Sequence, residues 1–169
     1  MAFYGIVYVT YCVAVIQTRN MLQQNDKAPD DIQVVDQHNK SVSLQDYAGS
    51  FVVLYFYPKD NTPGCTTEAC EFRDFNEDIK KLGVQVIGVS KDTPASHEKF
   101  AAKHNLQFVL WSDQNSALMN AFGVKGLVGS KRVTFVINPE GEIIHVWEKV
   151  NALGHAKEVF DFLQQHITH

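Results

Sequence analysis

The stretch of this chain richest in reactive side chains runs Pro58-Lys59-Asp60-Asn61-Thr62-Pro63-Gly64-Cys65-Thr66-Thr67-Glu68-Ala69-Cys70. It lies where an apolar run ends and a helical pattern begins, the place at which open α/β sheets put their sites. With the helix starting near Cys65, that sulfur falls in a first turn whose N–H groups lack intrahelical partners and whose dipole end is positive. Both features favour a thiolate, the nucleophilic form of cysteine. Pro63 and Gly64 suit a rigid, sharp approach into the helix and close backbone contact with a small ligand. Taken alone, Cys70 reads more readily as a small apolar helix residue than as a reagent. Glu68 fits a solvated first-turn carboxylate as well as it fits a partner for an arginine of the pocket. Arg132 alone reads as a strand-edge surface charge.

Three separated features change that balance. Pro58, Thr62 and Cys65 match a Pro-x-x-x-Thr/Ser-x-x-Cys signature, and in this the chain resembles the peroxiredoxins. Cys70, five residues beyond Cys65, is similar to the arrangement of their Q-type subgroup, also called bacterioferritin comigratory proteins. Arg132-Val133-Thr134-Phe135 resembles that family's Arg-x-Thr-Phe strand. The resemblance covers about residues 26–167 and implies a thioredoxin-like α/β domain. It also implies that Cys65 is the peroxidatic nucleophile, Cys70 the resolving thiol and Arg132 the active-site arginine. Thr62 would contact substrate, and Pro58, Pro63, Gly64 and Glu68 would support the pocket. The implied substrates are hydrogen peroxide and organic hydroperoxides, reduced for antioxidant defence. The implied reductant is thioredoxin or a similar dithiol, with no metal, haem or flavin needed. A monomer is expected.

The chemistry can be argued beside the resemblance. A free thiol of pKa about 8.5 is only about 3% ionised at pH 7, so lowering its pKa raises the reactive fraction by at most roughly thirtyfold. A peroxidase must also hold the O–O bond in line with sulfur and stabilise charge on the departing oxygen. Thr62, whose hydroxyl both donates and accepts, Arg132 and the first-turn N–H groups are the available set. Attack leaves Cys65 as a sulfenic acid, with which Cys70 condenses to a disulfide that an external dithiol reduces. In an intact helix, Cα atoms five residues apart are roughly 8–9 Å distant, beyond the limit of about 7 Å for a disulfide. The continuous helix expected over residues 65–82 in the reduced protein must therefore unwind locally on oxidation.

Other chemistries fit less well. A disulfide oxidoreductase calls for Cys-x-x-Cys at the helix start, and the spacing here is Cys-x-x-x-x-Cys. A cysteine hydrolase needs a histidine base that nothing near Cys65 supplies. Seven histidines are present, but His97 and His104 are seven apart in a helical pattern and the others are scattered, without zinc-like spacing. A non-enzymatic binding module would be favoured only if the protein, with Cys65 intact, left peroxide unconsumed.

The elements that must position these groups follow from periodicity. Residues 31–36 and 41–44 read as a short N-terminal hairpin about a turn at residues 37–40. Residues 51–57 are apolar, β-branched and aromatic on consecutive positions, as in a central strand buried on both faces. After the Pro58 loop, the helix of residues 65–82, with Phe72, Phe75 and Ile79 at helical spacing, ends at Gly83. Residues 84–89 form a second buried strand, and Pro94 opens the next helix. Residues 108–111 read as a strand and 115–122 as a helix closed by Gly123. Residues 132–137 and 142–147 read as a hairpin, and 154–167 as a closing amphipathic helix. This alternation predicts an α/β fold with a mixed sheet and helices on both faces.

The chain has 169 residues, 45% of them hydrophobic, enough for one domain with a substantial core. Its formal charge of −4 with interspersed signs offers no basic face, so no nucleic-acid partner is expected. Three cysteines do not form a secreted-type disulfide framework. Residues 1–20 stand apart from the domain expected over residues 21–169. The uncharged run from Ala2 to Ile16 falls short of the roughly 20 residues of a spanning helix, and it lacks the preceding basic residues of a secretory signal. An upstream extension with the working protein beginning at Met21 is the first reading, and an anchor or export signal the second. Cys12 is read there as a small apolar residue, and the expected compartment is the cytoplasm.

Overall fold

The computed structural model describes residues 20–167. Among them a mixed sheet of seven strands runs in the order β2-β1-β5-β4-β3-β6-β7. The strands are β1 (Val34–Asp36), β2 (Ser41–Val42), β3 (Phe51–Phe56), β4 (Val84–Ser90), β5 (Val109–Ser112), β6 (Val133–Ile137) and β7 (Ile143–Trp147). The helices are α1 (Pro63–Lys81), α2 (Pro94–His104), α3 (Ala117–Phe122) and α4 (His155–Ile167). Strands β3, β4 and β5 are parallel. The β1–β2 hairpin joins β5 antiparallel, while β6 pairs antiparallel with β3 and β7 with β6.

Period-two alternation on a doubly covered sheet builds the core. Along β3, Val52, Leu54 and Phe56 enter one apolar cluster, which α3 completes with Leu118, Met119 and Phe122. Val53, Tyr55 and the following Tyr57 enter the other, with Cys65, Phe72 and Ile79 of α1, Phe100 of α2 and Leu163 of α4. The reactive helix therefore lies on the three-helix face of the sheet, its apolar stripe against the centre of β3.

Several boundaries differ from expectation for local reasons. Helix α1 begins at Pro63, with Thr62 as the extended residue before it, because proline's fixed φ and missing N–H suit the first helical position. Glu68 thus belongs to the second turn rather than the first. The first strand pairs only from Val34. The second stops at Val42, because Ser43 N–H donates to the Asp46 carboxylate at 2.9 Å and a 3-10 turn, Leu44–Tyr47, takes over. Upstream, Leu22 N–H donates to Phe122 O at 3.1 Å, Asn25 N–H to Ile143 O at 2.8 Å and Ala28 N–H to Gly141 O at 2.9 Å. Residues 22–28 are thereby tied to the end of α3 and the start of β7. The run from Ala2 to Ile16, with Cys12, lies outside the described residues. Among those described, no helix is long and apolar enough to cross a membrane.

Candidate active site

Strand register assembles the site. The C-terminal ends of parallel β3 and β4 deliver residues 57–62 and 90–92 to one edge of the sheet. Strand β6 runs antiparallel to β3 with Val133 opposite Phe56, so Arg132, just before β6, arrives at that same edge. Ser130 Oγ donates to Tyr57 O at 3.0 Å and ties the approach to β6 to the loop. At Gly129, φ is +72° and a Cβ would lie 2.7 Å from Pro58 O, so a side chain here would push the two segments apart.

Cys65 is 1% exposed, in the first turn of α1. Arg132 Nη2 donates to Cys65 Sγ at 3.3 Å, and Arg132 Nη1 donates to Glu68 Oε2. The guanidinium therefore bridges two residues one helical turn apart on the buried stripe of α1. A Cβ at Gly64 would sit 3.1 Å from Arg132 Nη2; its absence lets the guanidinium lie against the first turn. Burial opposes the Arg132 charge, yet Glu68 and Cys65 outweigh it and hold the guanidinium above its usual range. Burial pushes the Glu68 carboxyl up to about 7, against the pull of Arg132. Glu68 is fully buried and its Oε1 has no hydrogen-bond partner among the described residues. The solvated reading of this residue is thus corrected: its place on the stripe turns it inward.

The remaining predicted residues divide. Pro63 and Gly64 form the entry turn to Cys65. Thr62 is half-buried, and its hydroxyl donates to Lys59 O at 2.8 Å, closing the loop on itself. Pro58 ends β3 and meets Gly129. Cys70 is partly buried on the same helix, and both cysteines are free. No polar contact joins Cys70 to the Arg132 cluster, as five-residue helical spacing requires.

Sequence reasoning missed the aromatic and acidic support beneath this turn. Tyr55 is stacked on Phe72 with ring centroids 4.7 Å apart. Burial first, then the nearby Glu68 and Cys65, raises its phenol well above the ordinary value. Asp60, read only as a loop residue, is 4% exposed and bonded to His97 of α2. An acidic residue in the short loop between an apolar strand and the reactive helix was the only available signal.

An arginine over a helix-start cysteine, at the edge of a mixed α/β sheet, is the arrangement of a thiol-based peroxidase, and comparison with known proteins agrees. The AhpC/TSA family profile matches residues 24–146. Peroxiredoxin Bcp of Bacillus subtilis is 44% identical over 151 residues, covering 85% of this chain and 96% of the relative. Its Escherichia coli K12 namesake is 38% identical, covering 87% and 99%. A solved structure of Xanthomonas campestris peroxiredoxin Q superposes with a TM-score of 0.81 at 36% identity, covering 88% of this chain and 99% of that one. The chain belongs to the AhpC/TSA family and, within it, to the thioredoxin-like peroxiredoxins of the Q or Bcp type, enzymes that reduce peroxides through a thiol.

Proposed function

We propose that this chain reduces hydrogen peroxide and organic hydroperoxides through a Cys65 sulfenic acid and a Cys65–Cys70 disulfide within one monomer, recycled by thioredoxin or a similar dithiol. The Cys65 thiolate attacks the terminal peroxide oxygen, and the O–O bond breaks. Its electron pair leaves on the distal oxygen, which takes up a proton and departs as water or an alcohol. Arg132 is suited to hold both the thiolate and that developing charge, since one of its nitrogens already faces sulfur. Thr62 lies at the loop tip beside the sulfur's turn, where its hydroxyl can exchange Lys59 O for a peroxide oxygen. Pro58, Pro63 and Gly64 keep that approach short and fixed, and Glu68 orients the guanidinium.

Resolution follows by thiol chemistry. Cys70 sulfur attacks Cys65 sulfur, the S–O bond breaks and water leaves. Exchange with the external dithiol then returns both thiols. The observation that carries this reading is the contact between Arg132 and Cys65 at the start of α1. Residues 21–169 form the working domain in this reading, and a cytoplasmic monomer meets its needs. One relative's structure, from Xanthomonas campestris, is described in terms of alkyl peroxide reduction, which supports organic hydroperoxides as candidate substrates.

The test is peroxide-dependent NADPH oxidation with thioredoxin and thioredoxin reductase. Cys65→Ser should abolish turnover, and Cys70→Ser should permit one rapid oxidation and then stall. Undiminished turnover by Cys65→Ser would remove the reading.

A further inference from the structure

Beneath the loop that precedes α1 lies a second buried polar cluster. Asp60 Oδ1 accepts from the Tyr57 hydroxyl at 2.6 Å. Asp60 Oδ2 accepts from Ser96 Oγ at 2.9 Å and lies 2.8 Å from His97 Nδ1. Asp60 N–H donates to Asp92 Oδ2 at 2.9 Å, and Ser90 Oγ donates to the same oxygen at 2.6 Å. His97 is completely buried, with Nε2 3.1 Å from Trp111 O. Residues past the ends of β3 and β4 and on α2 thus converge on a single loop residue, and β5 holds the far side of His97.

The pattern of donors fixes one of the two ring protons. Trp111 O is a carbonyl and only accepts, so His97 Nε2 carries a proton. His97 Nδ1 faces Asp60 Oδ2 and, at 3.3 Å, the oxygen of a Tyr57 hydroxyl whose own proton is given to Asp60. Asp60 already accepts two hydroxyl protons, so one hydrogen bond between Oδ2 and His97 Nδ1 completes the set, its proton resting on Nδ1 where Asp60 is ionised. Asp60, Asp92 and His97 also bring ligand-type atoms within 4.8 Å of one another. With these atoms committed to donors and acceptors of the protein, the set reads as a closed hydrogen-bond network rather than a cation site.

We propose that Asp60 and a doubly protonated His97 form a positioning pair that holds the loop carrying Thr62, so that Cys65 enters the peroxide-reactive geometry. The proposal rests on the peroxidase reading above. The loop is pinned twice at Asp60, by its side chain to α2 and by its N–H to Asp92, three residues before α1 begins at Pro63. What must unwind for the disulfide lies beyond Thr62, whereas the groups that grip Asp60 lie just past the ends of β3 and β4 and in α2. The pair is therefore placed to set the rate of the first step and not of the second.

Two variants separate position from charge. Asp60→Asn keeps the network without charge: its amide can donate to a neutral His97 Nδ1 while Ser96 rotates to accept. His97→Leu strips the carboxylate of its main partner. The second-order rate of Cys65 oxidation by hydrogen peroxide should fall by about ten- to a hundredfold in His97→Leu, as expected for a displaced reacting group. In Asp60→Asn it should stay within about twofold of the wild type. The first-order rate of disulfide formation should be unchanged in both. Tyr57→Phe, which removes one donor and keeps the ring, should show a smaller loss in the same step and serves should His97→Leu fail to fold by circular dichroism.

Nitrogen-15 NMR of the reduced wild-type protein should show protons on both His97 ring nitrogens, and on Nε2 alone in Asp60→Asn. A singly protonated wild-type ring, wild-type oxidation rates in both His97→Leu and Tyr57→Phe, or equal losses in Asp60→Asn and His97→Leu would overturn the proposal. Failure of the peroxidase reading is distinguishable, because the wild-type protein itself would then leave peroxide unconsumed while the ring NMR still reports on the pair.

Discussion

Two buried polar clusters flank residues 57–68, and they are bonded very differently. Around Asp60, both carboxylate oxygens, the backbone N–H and both nitrogens of His97 have partners. Around Cys65, among the described residues, the sulfur has one donor and neither Glu68 Oε1 nor the Tyr55 hydroxyl has a partner. Unmet buried polar groups cost stability, and in native proteins such costs concentrate where function needs them. Under the proposed mechanism, the contrast separates a fully bonded support from a first turn that receives peroxide and later unwinds.

The largest effect should come from the sparse side. Arg132→Met removes the donor to Cys65 and leaves Glu68 without its cation. The second-order rate with peroxide should fall by about ten- to a thousandfold, as for loss of one transition-state donor, with the circular dichroism spectrum retained. An unchanged rate, or a loss that merely follows unfolding, would erase the distinction between the clusters.

Glu68 sharpens the comparison through pH. Its carboxyl titrates near 7 in the folded protein against an ordinary value of 4.5. The folded state therefore binds a proton that the unfolded chain has already released between those values. This contribution to stability is complete below about pH 4.5 and is lost as pH rises through about 7, a span of roughly 3 kcal/mol. Glu68→Gln should remove it. The stability difference between pH 5 and pH 8, from urea unfolding, should shift by up to about 2–3 kcal/mol toward relatively greater stability at pH 8. An identical pH dependence in both proteins would show that Glu68 is not held as described.

The smallest effect should come from outside both clusters. A chain starting at Met21 should keep full peroxidase activity, and its stability should stay within about 0.5 kcal/mol of the whole chain. Inactivity or insolubility would make residues 1–20 part of the domain.

Legibility followed the range of the interactions. Strand β3 could be read directly, because a strand covered on both faces must be apolar at consecutive positions. The first turn of α1 was readable to within two residues, the error arising from Pro63 acting as the first helical residue rather than as a breaker. Arg132 stands 67 residues from Cys65, and only its resemblance to a family strand singled it out. Its contact depends on the antiparallel register of β6 on β3, which periodicity does not encode. Asp60 and His97 were passed over for the same reason: 37 residues separate them, and each alone looks like an ordinary loop acid or helix histidine. Glu68 could be placed in the pocket or in solvent from sequence, and only packing against the sheet decided.

The central claim is that Cys65 meets peroxide and Cys70 resolves it by melting the turn between them. Mass spectrometry of peptides covering residues 60–73, after hydrogen exchange of the protein before and after one equivalent of hydrogen peroxide, reads both parts at once. The account predicts a mass loss of about 2 Da for a disulfide closed within this segment. It also predicts much faster exchange at amides 65–72 in the oxidised form, because the bond cannot close across an intact helix. A Cys65–Cys70 disulfide with protection equal to that of the reduced protein would contradict the unwinding, and retention of both thiols after peroxide is consumed would contradict the mechanism.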